Sequence, residues 1–140
     1  MDFRIETSRY DQQKRGIQHV RRQVFIEEQG IDPAEEWDEH DTDATFAIAV
    51  DANNHVIGTA RLLSQGKIGR LAVLREYRRQ GVATALLRHL LDLAKQRGYE
   101  RIALSAQQSV MEFYLKQGFE PVGPPHVEVG LPHQNMQYVF

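Results

Sequence analysis

Residues 76–87 read EYRRQGVATALL, in which two arginines and a glutamine run directly into Gly81. Apolar residues then recur at helical spacing from Val82 to Leu93, which predicts an amphipathic helix. The preceding run KIGRLAVL, residues 67–74, is typical of a strand. A strand that turns directly into a helix leaves the first N–H groups of the helix without partners, at the positive end of its dipole. The stretch therefore predicts an anion-binding turn.

A phosphate or pyrophosphate group matches this turn in size and charge. Gly81 permits an unusual dihedral or a close backbone approach, and Ala83 adds little bulk. Arg78, Arg79 and Gln80 supply donors at the rim. The residues alone leave a second interpretation open, in which the arginines form a solvated loop and Gly81 is only a turn residue. Neither G-x-x-x-x-G-K-[ST] nor a G-x-G-x-x-G after a strand occurs in the sequence.

Strand and helix patterns alternate over the rest of the chain without a repeat or a linker, which predicts one domain over residues 1–140. Ser8 with Asp11 resembles a capping box and predicts the start of a helix that ends at Gly30. The acidic stretch 31–43 predicts irregular structure. The other predicted elements are a strand DFRIET, a hairpin of TFAIAVD and HVIGTARLLS around ANN, a helix 82–93 capped by Gly98, a strand RIALSA, a helix QSVMEFYLKQ that Gly118 stops, and tail strands around HVEVG and NMQYVF. This order predicts an α+β or mixed α/β layer arrangement.

Composition excludes several classes of function. The 140 residues are 41% hydrophobic and 26% charged, as in ordinary globular proteins. The absence of cysteine excludes disulfides, thiolate zinc sites and a cysteine nucleophile. The net charge of -2 argues against broad nucleic-acid binding, and six histidines without H-E-x-x-H spacing predict no metal site. With no apolar run of membrane length and no signal-peptide pattern, we expect no membrane association and a cytoplasmic location.

Two linked motifs resemble those of the GNAT superfamily of N-acetyltransferases. Arg78-x-x-Gly81-x-Ala83 is similar to the family's acyl-CoA-binding motif R/Q-x-x-G-x-G/A. The segment from Gln107 through Tyr114 to Phe119 resembles its second motif, in which an Asn or Gln precedes a helix that carries a Tyr and ends in K-x-G-F. RRQVFIEEQG and GLPHQNM look most like the small bacterial ElaA-like and YjcF-like branch. The resemblance implies the GNAT fold, a mixed, mostly antiparallel central sheet with helices on both faces.

The resemblance also implies where acetyl-CoA, or a related short acyl-CoA, would bind as cosubstrate. The backbone of Leu71, Ala72 and Val73 would pair with the pantetheine arm, and the N–H near Val73 would face the thioester oxygen. The implied pyrophosphate site comprises Arg78, Arg79, Gln80, Gly81, Val82, Ala83 and Thr84. Gln107 stands where the family often has Asn, and would bond the pantetheine or phosphate portion.

Acid and base candidates follow from the same resemblance. Tyr114 is the candidate general acid, because a phenol with a pKa of about 10 is protonated at neutral pH and can donate to a departing thiolate. Its alternative role is a core aromatic. Glu28 and His133 match base positions of this branch, with Glu27, His40 or a water chain as alternatives. The acidic residues of the 31–43 stretch are expected to attract a cationic amine.

The resulting hypothesis is direct acyl transfer to a primary amine in a ternary complex, by a single GNAT domain. The acceptor is a small molecule or a peptide, and its identity is left open. Two non-enzymatic hypotheses remain: a CoA-binding regulatory module without turnover, and an interaction domain that binds no cofactor. RRQVF also faintly resembles acyl-homoserine lactone synthases, which are usually longer. A homodimer paired through the tail strands is an open alternative.

Overall fold

One eight-stranded sheet organises the chain, and the computed structural model describes residues 2–140. The strands follow the order β1-β2-β3-β4-β5-β8-β6, and β7 also pairs with β8. All pairs are antiparallel except β4 with β5. The strands are β1 (Phe3–Arg9), β2 (Thr45–Asp51), β3 (Val56–Leu63), β4 (Lys67–Val73), β5 (Arg101–Gln107), β6 (Glu120–Pro121), β7 (His126–Glu128) and β8 (Leu131–Val139).

Four α-helices and a π-helix connect these strands. The first helix, α1 (Lys14–Arg21), continues without a break as a π-helix over Arg22–Glu28. The others are α2 (Pro33–Glu36), α3 (Val82–Gln96) and α4 (Met111–Lys116). A π-helix inserts an extra residue into a turn and is found frequently at functional sites. Here it ends beside the turn that opens α3, where Glu28 contacts Arg78.

The core lies on both faces of the central strands. Every residue of β2 and β3 is buried, and because alternate side chains point to opposite faces, both faces are covered. Helix α3 contributes Leu86, Leu87 and Leu90, which are fully buried. Helix α1 approaches β3 so closely that a Cβ on Gly16 would lie 2.5 Å from a methyl group of Val56. Glycine at this position therefore allows the close contact between helix and sheet.

Most sequence-predicted elements are confirmed, and two predictions are wrong. Ser8 lies within β1 and its hydroxyl donates to the Arg9 carbonyl, so it does not cap a helix. The side chain of Gln12 accepts from the Arg9 N–H instead, and α1 begins at Lys14. The acidic stretch is not irregular, because it contains α2 and a 3₁₀ turn over Glu39–Asp43. Asp32 and Asp38 start these two turns by accepting backbone N–H bonds.

The β7–β8 hairpin has a strained two-residue turn. Val129 and Gly130 connect the strands with φ of 46° and 75°. Positive φ at both turn residues is the type I′ geometry, which favours Asn followed by Gly. A β-branched residue at positive φ is an outlier whose cost is about 1–3 kcal/mol. The turn therefore stores strain directly after Glu128.

We expect Val129→Asn to stabilise the protein, because it creates an Asn-Gly turn with the same backbone. The free energy of unfolding should rise by about 1 kcal/mol in urea denaturation. Val127→Asn is the control, since Val127 is also exposed but lies inside β7, where no left-handed dihedral is required. Equal or lower stability of Val129→Asn would contradict the strain.

Candidate active site

The sheet opens between β4 and β5. Within residues 2–140 their one parallel pair is Lys67 with Ala103, at the beginning of β4, and the strands then diverge. A register shift between Thr59 and Arg61 of β3 lies opposite a left-handed residue, Arg70, whose φ is 52°. Such bulges bend a strand and increase its twist. As a result Leu71, Ala72 and Val73 present a backbone edge that β5 does not cover.

The anion turn predicted from the sequence lies at the end of this opening. Gly81 has φ of 86°, and a Cβ at this position would meet no atom within 4 Å. The first bond of α3 runs from the Ala85 N–H to the Gly81 carbonyl, and no side chain caps the helix. The N–H groups of Val82, Ala83 and Thr84 precede that bond. They are therefore free to bind an anion at the positive end of a 15-residue helix.

A cavity of about 630 Å³, the cradle cavity, extends from this turn along the open edge of β4. It brings together most of the predicted cosubstrate residues, with Gln80 and Gln107 outside. Those lining it are Leu71, Ala72, Val73, Arg78, Arg79, Gly81, Val82, Ala83 and Thr84. A CoA-sized molecule can therefore contact both the helix N-terminus and the strand edge.

A second cavity of about 420 Å³, the charged cavity, begins where the cradle cavity ends. Its wall carries charged side chains from the α2 segment, β3, β4 and β7, including Glu36, Arg70 and Glu128. Gln29, Leu71, Val110 and Tyr114 line both cavities. The boundary between the two spaces is therefore formed by these four residues.

Tyr114 is the ionisable residue at this boundary. It lies on α4, is 8% exposed, and packs edge to face against Phe113 and Phe119. Burial raises the pKa of its phenol above the ordinary value, so the group is protonated at neutral pH. This placement is compatible with both roles considered from the sequence. The ring packs in the core, as a core aromatic would, and the residue lines both cavities, as a general acid would.

The comparisons with known proteins agree with this architecture. The family model described as an acetyltransferase (GNAT) domain matches residues 7–140. The chain belongs to the GNAT acetyltransferase family. It is 34% identical over 119 residues to the uncharacterised protein YyaT of Bacillus subtilis, covering 81% of this chain and 80% of that protein. It is 28% identical over 130 residues to the uncharacterised N-acetyltransferase YjcF of the same species, covering 90% and 92%.

Solved structures show the same GNAT fold over the whole chain. The crystal structure of a candidate N-acetyltransferase from Lactobacillus plantarum has a TM-score of 0.90 at 27% identity, covering 99% of each chain. That of Escherichia coli ElaA has a TM-score of 0.87 at 24% identity, covering 98% of this chain and 99% of ElaA. The predicted fold is confirmed, and the protein is a GNAT acyltransferase.

The residues of the cradle cavity fit an acyl-CoA, the acyl donor of GNAT acetyltransferases. The open space at Gly81 admits a phosphate group against the N–H groups of α3, and the uncovered edge of β4 offers backbone groups to an extended arm. Arg79, with φ of 62°, lies on the rim of the cavity. The groups that would contact the acyl-CoA are mainly backbone groups, and anion-binding turns usually bind their ligands through backbone N–H groups.

Arg78 and Glu28 bind each other in this GNAT domain. The Arg78 guanidinium donates two bonds of 2.7 Å to the Glu28 carboxylate and one of 2.9 Å to the Val73 carbonyl. The Arg78 bond lowers the pKa of Glu28, which keeps the carboxylate ionised and weakens it as a base. Glu28 lines neither cavity. The pair connects the end of the π-helix to the end of β4.

Two predicted cosubstrate residues lie elsewhere. The side chain of Gln80 donates to the Glu76 carbonyl, 3.3 Å away, and is exposed. Gln107 lines the charged cavity and donates to the side chain of Gln29 at 2.8 Å, which spans the opening from β5 to the end of the π-helix. Sequence reasoning missed Gln29, because a single glutamine before a glycine carries no pattern.

His133 lies on the wall of the charged cavity. It is 6% exposed and pairs across the sheet with Gln107 of β5. His40 also lines this cavity, and Glu27 lines neither. Glu128 and Ser105 stand beside His133 and were missed from the sequence, because HVEVG indicated only a tail strand.

Three carboxylates of the acidic segment are paired with a buried network of arginines. Arg21, which is fully buried, donates to Glu36 at 2.6 Å and to Asp41 at 2.7 Å. We call the whole set the arginine–carboxylate network; its members are Arg21, Arg61, Arg70, Glu36, Asp38 and Asp41. Three of the carboxylates expected to attract an amine are therefore paired internally. Trp37 stacks on Arg21 at 5.1 Å and anchors the segment.

Between residues 2 and 140 there is no group of three His, Asp or Glu side chains placed to hold a metal ion. Over the same range, no helix has the length and apolarity needed to span a membrane.

We expect Arg21→Met to destabilise the protein by about 3 kcal/mol, because it leaves Glu36 and Asp41 buried with fewer counterions. Chemical denaturation measures this difference. Arg22→Met is the matched control: Arg22 is exposed and stacks on the same Trp37 at 5.6 Å, so its loss should cost at most about 1 kcal/mol. Equal effects of the two substitutions would show that the network does not anchor this segment.

Proposed function

We propose that this GNAT protein transfers an acetyl group from acetyl-CoA to a primary amine by direct attack in a ternary complex. The observation that carries the proposal is the opening between β4 and β5, which joins an anion-binding cavity to a second, charged cavity. One substrate fits on each side of Leu71 and Tyr114. A regulatory module that only bound CoA would not need the second cavity.

Each segment of the cradle cavity has a defined task in this proposal. The N–H groups of Val82, Ala83 and Thr84 bind the pyrophosphate, with Arg79 at the rim. Leu71, Ala72 and Val73 hold the pantetheine arm by backbone hydrogen bonds. Arg78 acts indirectly, since it fixes the Val73 carbonyl and Glu28 at the end of the strand. The cosubstrate supplies an activated thioester, and the protein supplies orientation and proton transfer.

Proton transfer is assigned to residues on the two sides of the boundary. Tyr114 donates to the leaving thiolate, because burial keeps its phenol protonated until transfer. His133 accepts from the amine, because it lines the charged cavity, whereas Glu28 lies outside and is bound by Arg78. The chain has no cysteine, which favours direct transfer over a cysteinyl acyl-enzyme.

Acetyl-CoA is expected to raise the melting temperature of the wild-type protein saturably, and Gly81→Val should abolish that shift. A valine at φ of 86° distorts the turn and fills the space that the phosphate requires. Thermal-shift titration measures both effects.

Gly98→Val is the matched control for this substitution. Gly98 also has φ of 86°, also has no atom within 4 Å of the position that a Cβ would take, and lies at the opposite end of α3. This variant should lose similar stability and keep the full acetyl-CoA shift. If acetyl-CoA does not stabilise the wild type at millimolar concentration, the proposed function is wrong.

Tyr114→Phe should lower kcat by about 10- to 100-fold and change the acetyl-CoA dissociation constant by less than about twofold. The phenol contributes only when the thiolate leaves, whereas the ring keeps its packing. Release of free CoA, measured with a primary amine found by screening, gives kcat. Tyr138→Phe is the control, because Tyr138 also packs on Phe119 but lines neither cavity. Unchanged turnover in Tyr114→Phe would exclude the assigned acid.

A further inference from the structure

The β7–β8 hairpin places a carboxylate and an imidazole, Glu128 and His133, on the wall of the charged cavity, and a second imidazole, His126, beside the carboxylate. Glu128 Oε2 accepts a 2.5 Å hydrogen bond from the Ser105 hydroxyl and lies 3.6 Å from His133 Nε2. Glu128 Oε1 lies 3.5 Å from His126 Nε2. Ser105, Glu128 and His133 line the same cavity as Tyr114. Polar groups from three strands therefore converge on the wall of a cavity that the proposed proton donor also lines.

The tautomer of His133 follows from its backbone contact. Nδ1 lies 2.9 Å from the Leu131 carbonyl oxygen, which can only accept, so Nδ1 carries the hydrogen. In the neutral ring, Nε2 is then an acceptor with a free lone pair. It faces the Glu128 carboxylate, which is also an acceptor when ionised. The 3.6 Å separation exceeds a hydrogen bond, so neither group satisfies the other.

Glu128 is held in its ionised form by its neighbours. Burial would raise its pKa, but the Ser105 hydrogen bond and the positive charge of His133 and His126 when they are protonated, together with that of Lys67, lower it overall. Glu36 and Asp38, on the opposite wall, are paired with arginines. Within residues 2–140, no arginine or lysine forms an ion pair with Glu128. Lys67 lines the same cavity but does not form an ion pair with Glu128. Glu128 therefore keeps a negative charge available to a ligand.

We propose that Glu128 and His133 form the binding site for the ammonium group of the acceptor. A primary ammonium carries three N–H donors, so one group can donate to the Glu128 carboxylate and to His133 Nε2 together. The inference rests on the proposed function and adds to it the residues that recognise the amine. It also assigns a role to Glu128 and Ser105, with Ser105 fixing the orientation of the carboxylate.

The site also explains how the amine becomes nucleophilic. One proton passes from the bound ammonium to His133 Nε2, which frees the nitrogen lone pair and leaves an imidazolium next to Glu128. The amine then forms the new carbon–nitrogen bond as the carbon–sulfur bond breaks. Tyr114 donates its proton to the departing thiolate, the nitrogen loses a second proton as the amide forms, and that proton restores the Tyr114 phenol. His133 then gives up its proton. The net reaction releases one proton to solvent.

Titration of the protein alone with n-propylammonium chloride tests the binding site without acetyl-CoA. Nitrogen–proton correlation spectra of the imidazole rings report on His133 Nε2. We expect saturable shifts with n-propylammonium and none with tetramethylammonium, which has the same charge but no N–H donor. Glu128→Gln should weaken binding of n-propylammonium at least about 10-fold, since the carboxylate charge is lost.

Glu35→Gln is the matched control, because Glu35 also lines the charged cavity and is exposed. It should leave the dissociation constant within about twofold, and its melting temperature shows whether either variant is misfolded. Equal weakening by both substitutions, or equal binding of tetramethylammonium, would overturn the proposal and indicate only general attraction by charge. Glu128→Gln should also raise KM for the amine at least about 10-fold with a smaller change in kcat.

Acetyl-CoA binding distinguishes a failure of the proposed function from a failure of this inference. Acetyl-CoA should stabilise Glu128→Gln as much as the wild type, because Glu128 does not line the cradle cavity. A failure of acetyl-CoA to bind the wild type overturns the proposed function, whatever the ammonium titration shows. A failure of n-propylammonium to shift His133, with acetyl-CoA bound normally, overturns only the inference.

Discussion

The divergence of β4 from β5 is the constraint on which the rest of the site depends. Unpaired backbone groups in the middle of a sheet are costly unless water or a ligand binds them. The opening is tolerated because each strand is held by its outer neighbour: β5 pairs with β8 over seven residues, and β4 pairs with β3. Both cavities lie along this one separation, so the proposed cosubstrate site and the proposed amine site share a structural origin.

The end of the π-helix links three parts of the site. Glu28 holds Arg78, which in turn holds the Val73 carbonyl at the end of β4, and the next residue, Gln29, reaches Gln107 on β5. The extra residue in a π-helical turn shifts the side chains that follow it relative to a regular helix. The segment therefore connects both edges of the opening. Arg78, the arginine of the R-x-x-G-x-A motif, fixes the end of β4 by its bond to the Val73 carbonyl.

The sequence predicted those parts of the protein that rest on local pattern. The strand, turn and helix around Gly81 have a recognisable order of residues, and the structure groups nearly all of the predicted cosubstrate residues in one cavity. The Ser8 cap failed because pairing with β2 extends β1 through Arg9, a long-range contact that no local pattern reveals. Glu128 could not be found because its proposed role depends on a hairpin that brings it beside Ser105 and His133, 23 residues before and five residues after it.

The arginine–carboxylate network limits how many carboxylates of the acidic segment can attract a charged substrate. Its three positive and three negative side chains cancel within the fold, so Glu36, Asp38 and Asp41 project little field into solvent. Steering by a net charged surface accelerates encounters over a Debye length, and it is lost at high salt. Salt-dependent attraction of a cation by this segment is therefore left to its exposed carboxylates, which are Asp32, Glu35, Glu39 and Asp43. Discrimination between amines would then depend on short-range contacts inside the charged cavity.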